Sequence, residues 1–297
     1  MVQRMRLGLF VAMVLMMGQH LAAQGFGTVF RAGLNVSTLD GSVLMNADGT
    51  PAEAFGTSTG FHIGAGARYK FDYSGNYGVS LEFLYSLKGG LVDYNGDSWF
   101  IFRNAQGSNI RSVGMRRKAI DISTSYLEFP LHFFAKVGKF EFMGGGYMGI
   151  RLRAIANGDF TYTSTSPNPI DFTIELDQHF TRDRVPDFSQ PFDTEDLLTI
   201  PVAGELFQMP RRQGAYFEHD DYRGSFIRPF DFGLTGGISY YLTEGLFLSA
   251  RIQYGLTDIT RNDMHLNVQQ LGPNNERLFR DEVHTNIVYQ VCIGFAF

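Results

Sequence analysis

Eight stretches of the chain alternate apolar and polar residues with a two-residue period, the mark of strands with one greasy face. The last is the plainest. Along 286–297, Ile287, Tyr289, Val291, Ile293, Phe295 and Phe297 fall on one face, and Asn286, Val288, Gln290, Cys292, Gly294 and Ala296 on the other. The same alternation marks Val29–Ser37, Phe61–Phe71, Tyr77–Lys88, Ser125–Lys136, Phe140–Ala154, Phe230–Leu242 and Leu246–Thr257. Pro130 interrupts the fourth of these; having no N–H to give a ladder, it predicts a bulge there.

The connections sort into two kinds. After the second, fourth and sixth stretches they are short: Asp72–Asn76, Val137–Lys139 and Thr243–Gly245. After the first, third, fifth and seventh they are long, the longest being about 155–228. Short turns at one rim and long loops at the other predict an all-β fold, an eight-stranded antiparallel up-and-down transmembrane β-barrel with long extracellular loops. A sandwich has no reason to sort its loops this way. Outward residues also bracket strands at a spacing of eight: Phe61 and Tyr69, Tyr77 and Tyr85, Phe232 and Tyr240, Leu246 and Tyr254, Tyr289 and Phe297. Eight residues at ~3.3 Å rise and ~40° tilt cover roughly 20 Å, close to the ~25 Å apolar band of such barrels. Their ends would be the two aromatic girdles.

The opposite face is charged in both signs: Arg31, Arg68, Lys70, Glu82, Lys88, Glu128, Glu141, Arg151, Arg153, Asp231 and Arg251. An eight-stranded barrel is just wide enough for side chains to fill, and buried charges must pair. The expected interior is therefore a polar plug. Glu128 would face Arg151 on the adjacent strand, and Glu82 would face Arg68 or Arg251. An open ion or solute channel is the rival reading.

Composition fits. The chain has 28 Phe, 14 Tyr and 34 Gly in 297 residues, as many short strands and tight turns require. The single cysteine, Cys292, rules out an intramolecular disulfide and reads as filler in a strand. At the N-terminus, Arg4 and Arg6 precede an apolar run from Leu7 to Gly18, then His20-Leu-Ala-Ala23. This is the pattern of a secretory signal peptide over 1–23, cleaved after Ala23, leaving 24–297 as the barrel domain. The mature charge is then 23 basic against 30 acidic residues, −7, and 155–228 alone holds 6 basic and 13 acidic residues, also −7.

That third loop reads first as a solvated extracellular loop. A divalent-cation site on Asp193-Thr-Glu-Asp196 or Glu218-His-Asp-Asp221 is the sharper alternative. Phe160–Thr165, Phe172–Leu176 and Ala215–Phe217 are candidate strands within it, with 166–169 turning the first pair. The second loop is basic (Arg103, Arg111, Arg116, Arg117, Lys118 against Asp93 and Asp97); it reads first as a plain soluble loop, with lipopolysaccharide phosphates the alternative partner. Trp99–Phe102 in that loop would dip to the membrane or meet a partner. Gly144–Gly149 spells G-x-G-x-x-G, but within a strand, where the dinucleotide reading fails. His62, His132, His219, His265 and His284 are the histidines to weigh for lipid-directed catalysis; none has a serine and an acid at a recognisable spacing.

Several strand motifs resemble the PorT-like family of small outer-membrane barrels: 29–37, Leu81-Glu-Phe-Leu-Tyr-Ser-Leu-Lys-Gly89, Tyr126-Leu-Glu-Phe-Pro-Leu131 and 247–256. The last strand resembles the C-terminal signature of Gram-negative barrels, whose final aromatic is read by the barrel-assembly machinery; here that is Phe297. The resemblance implies an outer-membrane location. It also implies, through the family's founding member, a link to protein secretion. The expectation is thus a non-enzymatic barrel, structural or binding a macromolecule through its loops, with outer-membrane lipids and lipopolysaccharide around it. The alternatives are an accessory of secretion working with secretion components, and a lipid-modifying enzyme. No cofactor, metal or nucleic-acid partner is expected.

Overall fold

The computed structural model describes residues 25–72, 74–104, 107, 109–262, 278 and 281–297; the expected signal peptide and His265 lie outside them. Among the described residues there are thirteen strands. They are β1 (Phe26–Gly41), β2 (Glu53–Gly56), β3 (Ser58–Lys70), β4 (Tyr77–Arg103), β5 (Asn109–Val137), β6 (Phe140–Ser166) and β7 (Ile170–His179). Then follow β8 (Leu197–Val202), β9 (Glu205–Pro210), β10 (Arg212–Gln213), β11 (Phe230–Tyr241), β12 (Leu246–Gly255) and β13 (His284–Ala296).

The eight predicted strands are β1, β3, β4, β5, β6, β11, β12 and β13, each antiparallel to two neighbours. The ring closes where β13 returns to β1, in register from Val29↔Ala296 to Gly41↔His284. Closure leaves no ring edge unpaired, which a sheet in lipid requires. Outward positions such as Leu34, Ile63, Phe83, Phe133, Leu234, Leu248 and Val291 are exposed and apolar, as a lipid-facing wall must be. Aromatics gather at both ends of that wall. Phe26–Tyr69 (4.8 Å) and Phe140–Tyr240 (5.1 Å) lie at the short-turn rim, and Phe61–Tyr85 (5.6 Å) at the other.

Two strand details differ from expectation. Pro130 causes no shift of register, since Leu81↔Leu131 and Leu84↔Glu128 lie on the same ladder. The bulge falls instead between Ser125 and Tyr126, opposite Arg153 and Arg151. One extra residue, Leu152, turns the following side chains over. Arg153 therefore lies exposed rather than inward.

The larger departure is above the membrane. β4 and β5 do not end at a loop but run on as a hairpin, paired as far as Arg103↔Asn109. β6 continues alongside to Ser166, and β7 adds a further strand through the turn at 167–169. The expected strands 160–165 and 172–176 fall in β6 and β7, whereas Ala215–Phe217 is a turn. Residues 180–228, with the β8–β9 hairpin, fold against this raised sheet. The result is an apolar core of Phe100, Phe102, Phe160, Phe172, Phe207 and Tyr216, among others. Phe100 and Phe102 are 2% and 1% exposed, so they are core residues of this cap and not a membrane or partner contact.

Candidate functional site: the filled barrel and its cap

Alternation sends every second side chain of the eight strands into the lumen, where three groups of charges stack along the axis. At the short-turn end, Arg68 pairs with Glu141, donates to the Tyr241 hydroxyl (2.7 Å) and lies over the Phe134 ring (4.0 Å). At mid-depth, Glu82 accepts from Arg31 (2.7 Å) and from Arg251 (2.7 and 3.1 Å), while His132 stands 3.8 Å from the same carboxylate. Above it, Lys88 bridges Glu128 (2.6 Å) and Asp231 (3.2 Å), 4.3 Å from the Tyr147 ring. Gln253 donates to Glu128 (3.1 Å) and Asn286 to Asp231 (3.0 Å).

Four cations meet four carboxylates, and the ledger closes at zero. The middle group, two arginines on one glutamate, carries an excess of one positive charge. The Lys88 group carries an excess of one negative charge. Stacked, they compensate each other. All eight side chains are at most 7% exposed. Such groups persist in a low-dielectric interior only because each is paired and hydrogen-bonded.

The pairing differs from expectation at two places. Glu128 meets Lys88, not Arg151, because Glu128, Gly149 and Asp231 share one cross-strand row. The Tyr126 ring covers Gly149 between the two carboxylates, and Lys88 reaches both of them from across the lumen. Arg151 sits higher, donating to the Ser225 hydroxyl (2.7 Å) and the Ile227 carbonyl. Arg68 takes Glu141 rather than Glu82, whereas Arg251 does hold Glu82. No feature of spacing along the chain distinguishes these choices; strand stagger makes them.

Each candidate histidine among the described residues has a partner within the fold. His62 contacts Asn35 Oδ1 (2.8 Å), and His132 also contacts Thr235 Oγ1 (3.4 Å). His284 contacts Thr260 Oγ1 (3.2 Å), and His219 packs on the Tyr216 and Phe226 rings. Gly145 and Gly149 of the G-x-G-x-x-G run lie in the ring wall. A Cβ on Gly145 would run into the Leu131 carbonyl oxygen of the neighbouring strand.

Over the lumen, Phe180, Phe226, Ile227 and Ile259 join the rim residues Leu39, Val92, Ile120 and Ile122 in the same apolar cluster as the cap. Tyr216 stacks on Phe226 (5.1 Å, 6°) and donates to the Phe180 carbonyl (2.7 Å). The acidic runs of the third loop are engaged as ion pairs. Glu218 is held by both Nη atoms of Arg116 (2.8 and 2.6 Å), Asp220 by Arg103, and Asp196 by Arg211 (3.1 Å). Glu218 and Asp220 thus answer two bases of the second loop, whereas Arg111 and Arg117 of that loop lie exposed. Arg116 and Lys118 are in fact buried. Beside Arg116, Gln178 and Gln213 the cap encloses about 30 Å³, room for ordered water and not for an organic ligand.

A model of the family described as outer membrane protein beta-barrel domain matches residues 19–261, which include seven of the eight ring strands. The match is to this family description, and the PorT-like resemblance of the strand motifs is not part of it. Among solved structures, the attachment invasion locus protein Ail of Yersinia pestis is 9% identical, covering 92% of this chain and 99% of that one, with a TM-score of 0.33. The outer membrane protein OprG of Pseudomonas aeruginosa is 12% identical (92% and 96% covered, TM-score 0.30). The outer membrane protease OmpT of Escherichia coli is 8% identical (92% and 96%, TM-score 0.27). Likenesses this low bear no weight on function, and no curated protein matches the chain. The family match, spanning most of the residues that build the ring, carries the conclusion: this chain belongs to the outer membrane protein β-barrel domain family and lies in the bacterial outer membrane.

Proposed function

We propose that the protein is a closed, non-catalytic barrel that holds a folded cap outside the cell, where the cap binds a macromolecule. The observation that carries this reading is the continuity of the cap core with the barrel mouth, above a lumen filled by compensated ion pairs. A rigid platform of this kind presents side chains at low ordering cost, as recognition requires. The −7 charge of 155–228 favours a basic or neutral protein surface over a sulfated polysaccharide.

Two measurements test it. In planar bilayers the protein gives no conductance steps; steady single-channel current at neutral pH would overturn the plug. Cells displaying it bind an array of basic extracellular proteins, and lose that binding when the β8–β9 hairpin (196–210) is replaced by a Gly-Ser linker. Binding that survives the replacement, or that favours heparin-like polymers, counts against the cap as the site. A catalytic role on lipid A is answered separately. Mass spectra of lipid A from wild-type and deletion cells are expected to coincide. Export through a signal peptide cleaved after Ala23 belongs to the same reading, and N-terminal sequencing of the membrane-inserted protein checks it.

A further inference from the structure

One stretch of the lipid-facing wall is not smooth. Where β11, β12, β13 and β1 lie side by side, two cross-strand rows of outward residues run in parallel. The row nearer the short turns is Tyr240, Leu248, Ile293 and Ala32, each paired with the next. The other is Ile238, Ala250, Val291 and Leu34. Ala32 and Ala250 are the small members, and between the rows lies an open groove of about 620 Å³ with apolar walls. Phe140, paired with Tyr240 and in ring contact with it at 5.1 Å, forms its end. Lys139 stands in the short turn before Phe140, exposed, its ammonium 6.0 Å from the centre of the Tyr240 ring.

This is the layout of a lipid in one leaflet: a trough for an acyl chain, an aromatic pair at the interface, and a cation at phosphate depth. We infer that the groove holds one acyl chain of a glycerophospholipid of the periplasmic leaflet, with Lys139 at its phosphate, and that it favours an anionic headgroup. The chain gains by filling a concave wall that a flat lipid contact leaves underpacked, since each buried methylene adds to affinity. The lysine adds the preference for negative charge. A second copy of the barrel is the other occupant that such a groove would admit. The Lys139 ammonium at the headgroup end argues for lipid, because two copies meeting there would bring like charges together.

The test is native mass spectrometry of the whole protein. It would be reconstituted in vesicles of phosphatidylethanolamine and phosphatidylglycerol and released into mild detergent. The expected result is a single retained lipid, enriched in phosphatidylglycerol. Ala250→Phe, which fills the trough, lowers retention about tenfold. Lys139→Glu lowers it about fivefold and abolishes the headgroup preference. Leu81→Phe, on the lipid-facing wall of β4 across the ring, leaves it unchanged and controls for surface bulk. Equal retention by all four proteins means ordinary annular lipid and overturns the inference. So does a disulfide-linked dimer formed efficiently through Leu248→Cys, which would give the groove to a second copy.

Discussion

Glu82 holds two arginines that pair with no other carboxylate among the described residues, so its removal leaves Arg31 and Arg251 buried beside each other without a counter-charge. Glu82→Gln is expected to cost about 3–5 kcal/mol, the usual penalty for breaking a buried ion pair from one side. Urea-unfolding midpoints in detergent micelles measure it. A loss below about 1 kcal/mol would mean that water already screens the group. Lys88→Met should be as severe for the mirror reason, leaving Glu128 and Asp231 unpaired. At the last residue, Phe297 is exposed at the short-turn rim, edge-on to Phe30 (6.2 Å), with its amide donating to the Thr28 carbonyl (2.9 Å). Phe297→Asp puts a charge where the wall meets lipid and alters the proposed assembly signal. It is expected to leave the chain out of the outer membrane, as fractionation would reveal, and normal insertion would refute that role. The polar type of the lumen residues was legible in the alternation. Their partners were not, because Lys88 reaches carboxylates on β5 and β11 that only strand stagger brings together.

Among the elements, the cap departs most from the sequence reading. Alternation in 89–103 and 109–124 is blurred: the buried face carries Ser98, Ser112, Arg116 and Lys118, while the exposed face carries Leu91, Val113 and Met115. Two apolar runs therefore resembled loop. Arg151 ties this cap to the barrel, and within the cap the Tyr216 hydroxyl is pushed up to about 12 by burial. A folded-state value above the ordinary value near 10 means that the proton is held more tightly in the folded cap. The associated stability is present in full below about pH 10 and is lost as pH rises through about 12. Limited proteolysis across that range should show the cap cut before the barrel. Tyr216→Phe should weaken the cap by about 1 kcal/mol at neutral pH, from the lost bond to the Phe180 carbonyl, and should flatten this part of the pH response. Cutting that begins in the barrel strands, or a variant with unchanged pH response, would count against Tyr216 as a brace of the cap.

For the molecule as a whole, the ring count, the direction of the strands and the sorting of turns from loops were all legible in the chain. A period of two needs only the local backbone, and a lipid belt imposes it at the same depth on every strand. The apolar face of 286–297 thus announced a wall strand, and its partner at Val29–Ser37 followed from the need to leave no edge in lipid. What only the tertiary structure decided is everything that depends on relative height and stagger. It placed Lys88 between Glu128 and Asp231, set the bulge at Ser125 instead of Pro130, and turned Arg153 outward. It also folded an acidic loop onto a basic hairpin, so that charges 102 residues apart in the chain, Arg116 and Glu218, satisfy each other. The reason is physical. Alternation says which side of a sheet a residue takes, whereas a contact across a lumen or a cap is a matter of where separate strands stop sliding past one another.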